Sequence, residues 1–171
     1  MSPLSKSQNF SKISVGYGWI ENPYSVKPIK QSIKVNLVQE FPRSPREKLA
    51  GLVHIPRMVD KARAAHQNTL GEYIYPCPLD QIMLEFLRVD SDTFKKKANE
   101  DTEDTFSKWV ETQCQNRSLG DKDAVNNKFL NSQPDSPDKW KYFKEILNGL
   151  DPARKDINTW VDLIDLEEGR L

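Results

Sequence analysis

The stretch that follows Pro78 constrains this chain most, because Leu79, Ile82, Met83, Phe86 and Leu87 recur at intervals of three and four residues. That spacing matches the helical turn and places all five side chains on one face, which a folded chain must cover. A strand would alternate with period two instead. Weaker stripes of the same kind follow. Phe106, Trp109, Val110 and Cys114 share a face, and a short helix is expected ahead of them after Asp90. Ser136 caps and Pro137 opens a helix bearing Trp140, Phe143, Leu147 and Leu150, and Trp160, Leu163 and Ile164 line a last short one. The pattern predicts an all-α single domain of about six or seven helices.

Upstream, Ser44, Pro45 and Glu47 supply an N-cap, a first-turn proline and a capping box, which predicts a helix beginning at Ser44. Gly51 and Pro56 interrupt it, so Pro56 opens a second helix in which Ile55, Met58, Val59, Ala62 and Ala65 or His66 form the apolar stripe. Residues 116–134 are polar, with Phe129 and Leu130 as their one large apolar pair, and carry no helical stripe. Residues 1–37 show turn formers and Pro without an apolar period beyond the brief alternation of Ile33, Val35 and Leu37. They read as an extended or flexible N-terminal arm that can still dock Tyr17 and Trp19, ahead of a helical domain over 38–171.

Composition then narrows the function classes. Twenty-five basic residues balance 25 acidic ones, so no global field draws the chain to nucleic acid or to an anionic membrane. No apolar run reaches the roughly 18 residues of a membrane span. Cys77 and Cys114 lack zinc or redox-pair spacing, which suits free thiols in a reducing compartment and a soluble, cytoplasmic protein without metal or cofactor. The first twenty residues carry five Ser and two Lys with no acid, a composition shared with some transit peptides, although Arg is missing.

The charge is uneven, and the unevenness marks a candidate site. Residues 41–70 hold six Arg or Lys against two acids, whereas residues 71–110 hold nine acids against five bases. On a helical wheel Arg57, Asp60 and Lys61 lie opposite the stripe, His54 and Arg63 on its flanks and His66 within it. The simplest reading is a solvated polar face in which Asp60 pairs with Arg57 or Arg63. A sharper one has another segment folding over Arg57, Lys61 and Arg63, which then grip a carboxylate or phosphate. A buried structural ion network is the third.

His54 is the weak candidate for an acid or base, since imidazole titrates near neutrality. Tyr73, in the connection "TLGEYIYPCPLD", can line a pocket beside Gly71, and Cys77 sits where a helix N-terminus can activate a thiol. The acidic end, Asp162, Asp165, Glu167 and Glu168, reads as a solvated helix terminus or as a partner for the basic segment.

At "FPRSPREKLAGLVHIPRMVDKARA", "TLGEYIYPCPLDQIMLEFL" and "DINTWVDLIDLEEGRL" the chain resembles an uncharacterised bacterial family, the domain-of-unknown-function 5069 family. The resemblance runs from about Val38 to Arg170 and implies one unit, with no catalytic residue or cofactor to carry over. Three readings of function follow. The first is a binding or interaction module that engages a small anionic ligand or an acidic protein surface through residues 43–75, with Arg57, Asp60, Lys61, Arg63 and Tyr73 as binding residues. The second is a small enzyme acting on an anionic metabolite through His54, and the third a structural subunit of an assembly.

Overall fold

The computed structural model describes residues 34–171; of the expected arm over 1–37, residues 1–33, with Tyr17 and Trp19, lie outside them. Among the described residues the fold is all-α, with seven helices and one small hairpin. The hairpin pairs β1 (Lys48–Leu49) with β2 (Leu52–Val53) in antiparallel register, Leu49 opposite Leu52. Ala50 and Gly51 between them both have positive φ, the two-residue turn whose twist suits a hairpin.

No helix begins at Ser44. The residues expected to form a capping box make a tight turn instead: Glu47 N–H donates to Ser44 O at 3.1 Å, and the Ser44 backbone N–H donates to the Glu47 side chain. The Ser44 hydroxyl is spent elsewhere, donating to Asp165 at 2.9 Å. Half of the capping chemistry therefore forms, but it closes a turn that feeds β1.

Helix α1 (Ile55–Gln67) starts directly after β2, with Pro56 in its first turn as expected. Every residue from Ile55 to Ala64 is buried, so α1 is the central element of the domain rather than a surface helix. His66, placed within the stripe by the wheel, is exposed, because the covered faces of α1 end near Ala64 and its last turn projects beyond them. Helices α2 (Pro78–Leu87), α3 (Ser91–Glu100) and α4 (Glu103–Gln113) surround its apolar side. They contribute Met83, Leu84 and Leu87, then Phe94 and Ala98, then Phe106 and Val110 to one core with Ile55, Met58, Val59 and Ala62. The Phe94 and Phe106 rings meet edge to face at 5.2 Å, a favoured aromatic geometry.

Helix α5 (Leu119–Leu130) occupies part of the polar stretch that carries no apolar stripe. Its capping box of Ser118 and Asp121 starts it, and its buried face combines Val125 and Phe129 with Asn126. Asn126 bridges the hairpin, accepting from Val53 N–H at 3.0 Å and donating to Gly51 O at 2.8 Å. The helix seats itself with an amide where a hydrophobic period would ordinarily do so. Helices α6 (Pro137–Leu150) and α7 (Trp160–Glu167) build a second, smaller core from Phe143, Leu147, Ile157 and Leu163, with Trp140 and Trp160 against it.

The lead-in to the domain is tied down. Leu37 N–H donates to Thr69 O at 2.9 Å, and Val35 and Leu37 are buried beside Ala64. Gly71 permits this approach, since a Cβ there would lie 2.9 Å from Leu37 O and its φ is +63°. No helix among the described residues is long and apolar enough to cross a membrane.

Candidate functional site

The polar side of α1 is not solvated. Arg57, Asp60, Lys61 and Arg63 are all at most 8% exposed, and each is matched by a group from a distant part of the chain. This overturns the simplest reading of these residues. It also corrects the expected pairing of Asp60 with Arg57 or Arg63, because Asp60 accepts instead from the Arg43 guanidinium at 2.8 and 2.9 Å and from Arg43 N–H. Arg43 in turn reaches Glu103 at 2.9 Å. Arg63 donates to the carbonyls of Ala98 and Asp101 at the end of α3, the helix terminus where a cation is favoured.

Arg57 and Lys61 face the other way. Arg57 makes a two-pronged contact with Glu168 at 2.6 and 2.8 Å, the planar match for which guanidinium is suited. Glu168 also accepts from the Tyr73 hydroxyl at 2.8 Å and from Arg170. Burial would raise the Glu168 pKa, but these donors outweigh it and hold the carboxylate below its ordinary range. Burial and the adjacent Glu168 push the Tyr73 hydroxyl up, so it stays protonated and donates. Asp165, also buried, accepts from Ser44 and Arg46, and Arg46 reaches Asp162. Three members of the acidic end, Asp162, Asp165 and Glu168, are thus partners of the basic segment; Glu167 borders the cleft described below.

Deepest lies a triad of His54, Lys61 and Asp80. Asp80 is fully buried, with Oδ1 2.7 Å from His54 Nε2 and Oδ2 2.7 Å from Lys61 Nζ. Oδ2 also accepts from Cys77 N–H at 2.7 Å, because Cys77 and Asp80 form the capping box of α2. Burial alone would raise the Asp80 pKa, yet the His54 bond and the Lys61 charge pull it down to about 2. For His54 burial prevails over Asp80 and lowers its pKa to about 4. A neutral imidazole facing an ionised carboxylate must carry its proton on Nε2. Its Nδ1 has no hydrogen-bond partner among the described residues.

The backbone of His54 is also unusual. Its φ of 67° lies in the left-handed region at the N-cap of α1, where extended backbone is the rule. That conformation costs roughly 1–2 kcal/mol for a residue with a Cβ. It lets β2 turn directly into α1, while Phe129 supports the ring at 4.5 Å between centroids.

Arg57, Lys61, His54 and Tyr73 border one cleft of about 950 Å³, together with Cys77 and Glu168. Asp60 and Arg63 do not border it. The cleft mouth is apolar. Of seven large apolar or aromatic side chains exposed among the described residues, Val38, Phe41, Ile74 and Tyr142 all line this one opening. They come from the lead-in, the connection before α2, and α6. None belongs to the buried part of a helical stripe, and each of Val38, Ile74 and Tyr142 adjoins another apolar or aromatic residue, so nothing in the sequence set them apart. Asp80 was legible only as the second half of the Cys77 capping box.

Chemically the floor offers few free groups. Lys61 commits its three donors to Ile74 O, Cys77 Sγ and Asp80 at 3.2, 3.3 and 2.7 Å. Among the described residues no group of three or more His, Cys, Asp or Glu is placed to hold a metal ion.

A family model described as a domain of unknown function (DUF5069) matches residues 39–170. The chain belongs to that family. The match spans the hairpin, all seven helices and most of the cleft lining. No curated protein matches the chain.

Proposed function

We propose that this chain is a binding protein whose site is the cleft between the lead-in, α1, the connection before α2, and α7, and whose ligand is a small molecule with an apolar body and a polar head. The observation that carries this reading is the convergence of Val38, Phe41, Ile74 and Tyr142 around a floor of buried polar side chains. Exposed apolar surface gathered around one concavity is the usual mark of a ligand site.

Arg57 and Lys61 are the basis for an anionic ligand at this place, whether a carboxylate, a phosphate or an acidic protein surface. Each cation already faces a carboxylate, so an anion would compete with Glu168 or Asp80. Glu40, Glu72, Glu167 and Glu168 also outnumber Arg57 and Lys61 in the lining. The carboxylates of the mouth repel an anion and the buried Arg57 and Lys61 at the floor oppose a cation, so an uncharged head is favoured. A binding role is also preferred over catalysis, because an imidazole lowered to about 4 lies far from the neutral range in which proton transfer is efficient.

The test is a native mass spectrum of the full chain purified from its own cells, with Ile74→Asp beside it. The wild type should retain a small-molecule mass, and the variant should lose it with little change in melting point, since Ile74 is 68% exposed. A bare wild-type chain whose melting point is also unmoved by 1-octanol, octanoate and octylamine would sink the proposal.

A further inference from the structure

The unpaired nitrogen of His54 narrows the ligand's chemistry. Asp80 is an acceptor and cannot donate, so the imidazole proton is drawn to Nε2 and the Nδ1 lone pair is left over. Asp80 cannot turn away, because Lys61 Nζ and Cys77 N–H hold its second oxygen. The His54 backbone is fixed as well, through its N–H bond to Glu47 O at 3.0 Å. A buried acceptor without a donor is costly, by about 1–3 kcal/mol, and native folds rarely leave one without a reason. His54 borders the cleft.

We infer that His54 Nδ1 is the recognition point for the ligand's head, and that the head is an uncharged hydrogen-bond donor, such as a hydroxyl or an amide N–H, on an apolar body. The inference rests on the binding reading above and adds the class of the head group. The other buried charged groups at the floor are committed, Lys61 through all its donors and Arg57 and Glu168 to one another, while Tyr73 gives its hydroxyl proton to Glu168. A carboxylate or fully ionised phosphate head brings acceptors alone, which cannot satisfy a lone pair. Since His54 is 1% exposed, engagement requires neighbouring cleft side chains to shift.

The experiment uses the full chain labelled with nitrogen-15 histidine, whose two histidines, His54 and His66, are told apart with His66→Gln. At neutral pH the His54 spectrum should show a protonated Nε2 and a bare Nδ1. Titration with 1-octanol should move the Nδ1 resonance more than Nε2, over the same concentrations that raise the melting point. Octanoate should need about five- to tenfold more for the same rise, the loss expected for one hydrogen bond. A proton on Nδ1 in the free chain overturns the inference, and so does 1-octanol raising the melting point without moving Nδ1. Either result leaves the binding reading standing. If none of 1-octanol, octanoate or octylamine alters the melting point, the binding reading fails and takes the inference with it.

Discussion

Helices α1 and α6 have nearly the same length and similar amphipathic patterns, yet they treat their polar faces in opposite ways. In α6 only Phe143 and Leu147 are buried, and Asp138, Lys139, Lys141, Lys144 and Glu145 are exposed. In α1 the polar face is as buried as the apolar one, and four other segments supply the groups that match it. A charged residue on a helix face therefore carries two different meanings, decided by what the rest of the chain brings to it. On α6 it keeps the helix in water; on α1 it records partners that are far away in sequence.

The comparison is broken most directly at Asp80. Asp80→Ala strands the Lys61 ammonium and removes the partner of His54, so urea unfolding should show a loss of about 3–5 kcal/mol. A loss below about 1 kcal/mol would mean that the α1 face behaves like that of α6.

Acid supplies the next largest effect. The His54 pKa falls from 6.5 to about 4 on folding, so below pH 6.5 the unfolded chain binds a proton that the folded chain refuses. Stability from this group is complete above 6.5 and is lost as pH falls toward 4, by about 3 kcal/mol in all. Asp80, lowered from 3.8 to about 2, adds a further loss between those values. His54→Asn, which tolerates the left-handed backbone, should flatten the melting profile between pH 6.5 and 4. A profile that keeps its slope would place the titrating group elsewhere.

Two smaller effects characterise α6. Ser136 caps it through a bond from Lys139 N–H at 3.3 Å, and Ser136→Ala should cost about 1 kcal/mol in thermal or urea melts. Lys139→Ala, at a side chain 56% exposed, should change stability by less than about 0.5 kcal/mol. A larger loss would show that its exposed pair with Asp135, at 2.7 Å, behaves like the buried pairs of α1.

The same contrast explains how much the sequence made legible. Helices α2, α4, α6 and α7 follow from local pattern, because their caps lie beside stripes that bury one face. Helix α5 escaped because Asn126 holds a core position by pairing with the hairpin. The turn at Ser44 escaped because a Ser and a Glu three residues apart can close a turn as readily as they cap a helix. At the site, the segment around His54, Arg57, Lys61 and Tyr73 was legible as a concentration of polar groups. Their burial was not, since Glu168 lies 111 residues from Arg57 and Asp80 lies 19 from Lys61. The four rim side chains come from three separate segments and become one surface only in three dimensions.

The clasp between Glu168 and Arg57 also sets an order in time. Ser44 meets Asp165 across 121 residues and Pro42 meets Arg170 across 128, so the first part of the domain to be synthesised closes against the last. A nascent chain that has released α1 through α4 already holds most of the apolar core, yet its Arg57 has no counter-charge until α7 follows. Burying that guanidinium alone is unfavourable, so α1 must keep this side in water while the ribosome works. Completion of the fold is thereby deferred to the release of the final helix, and a chain stalled before it remains open along α1.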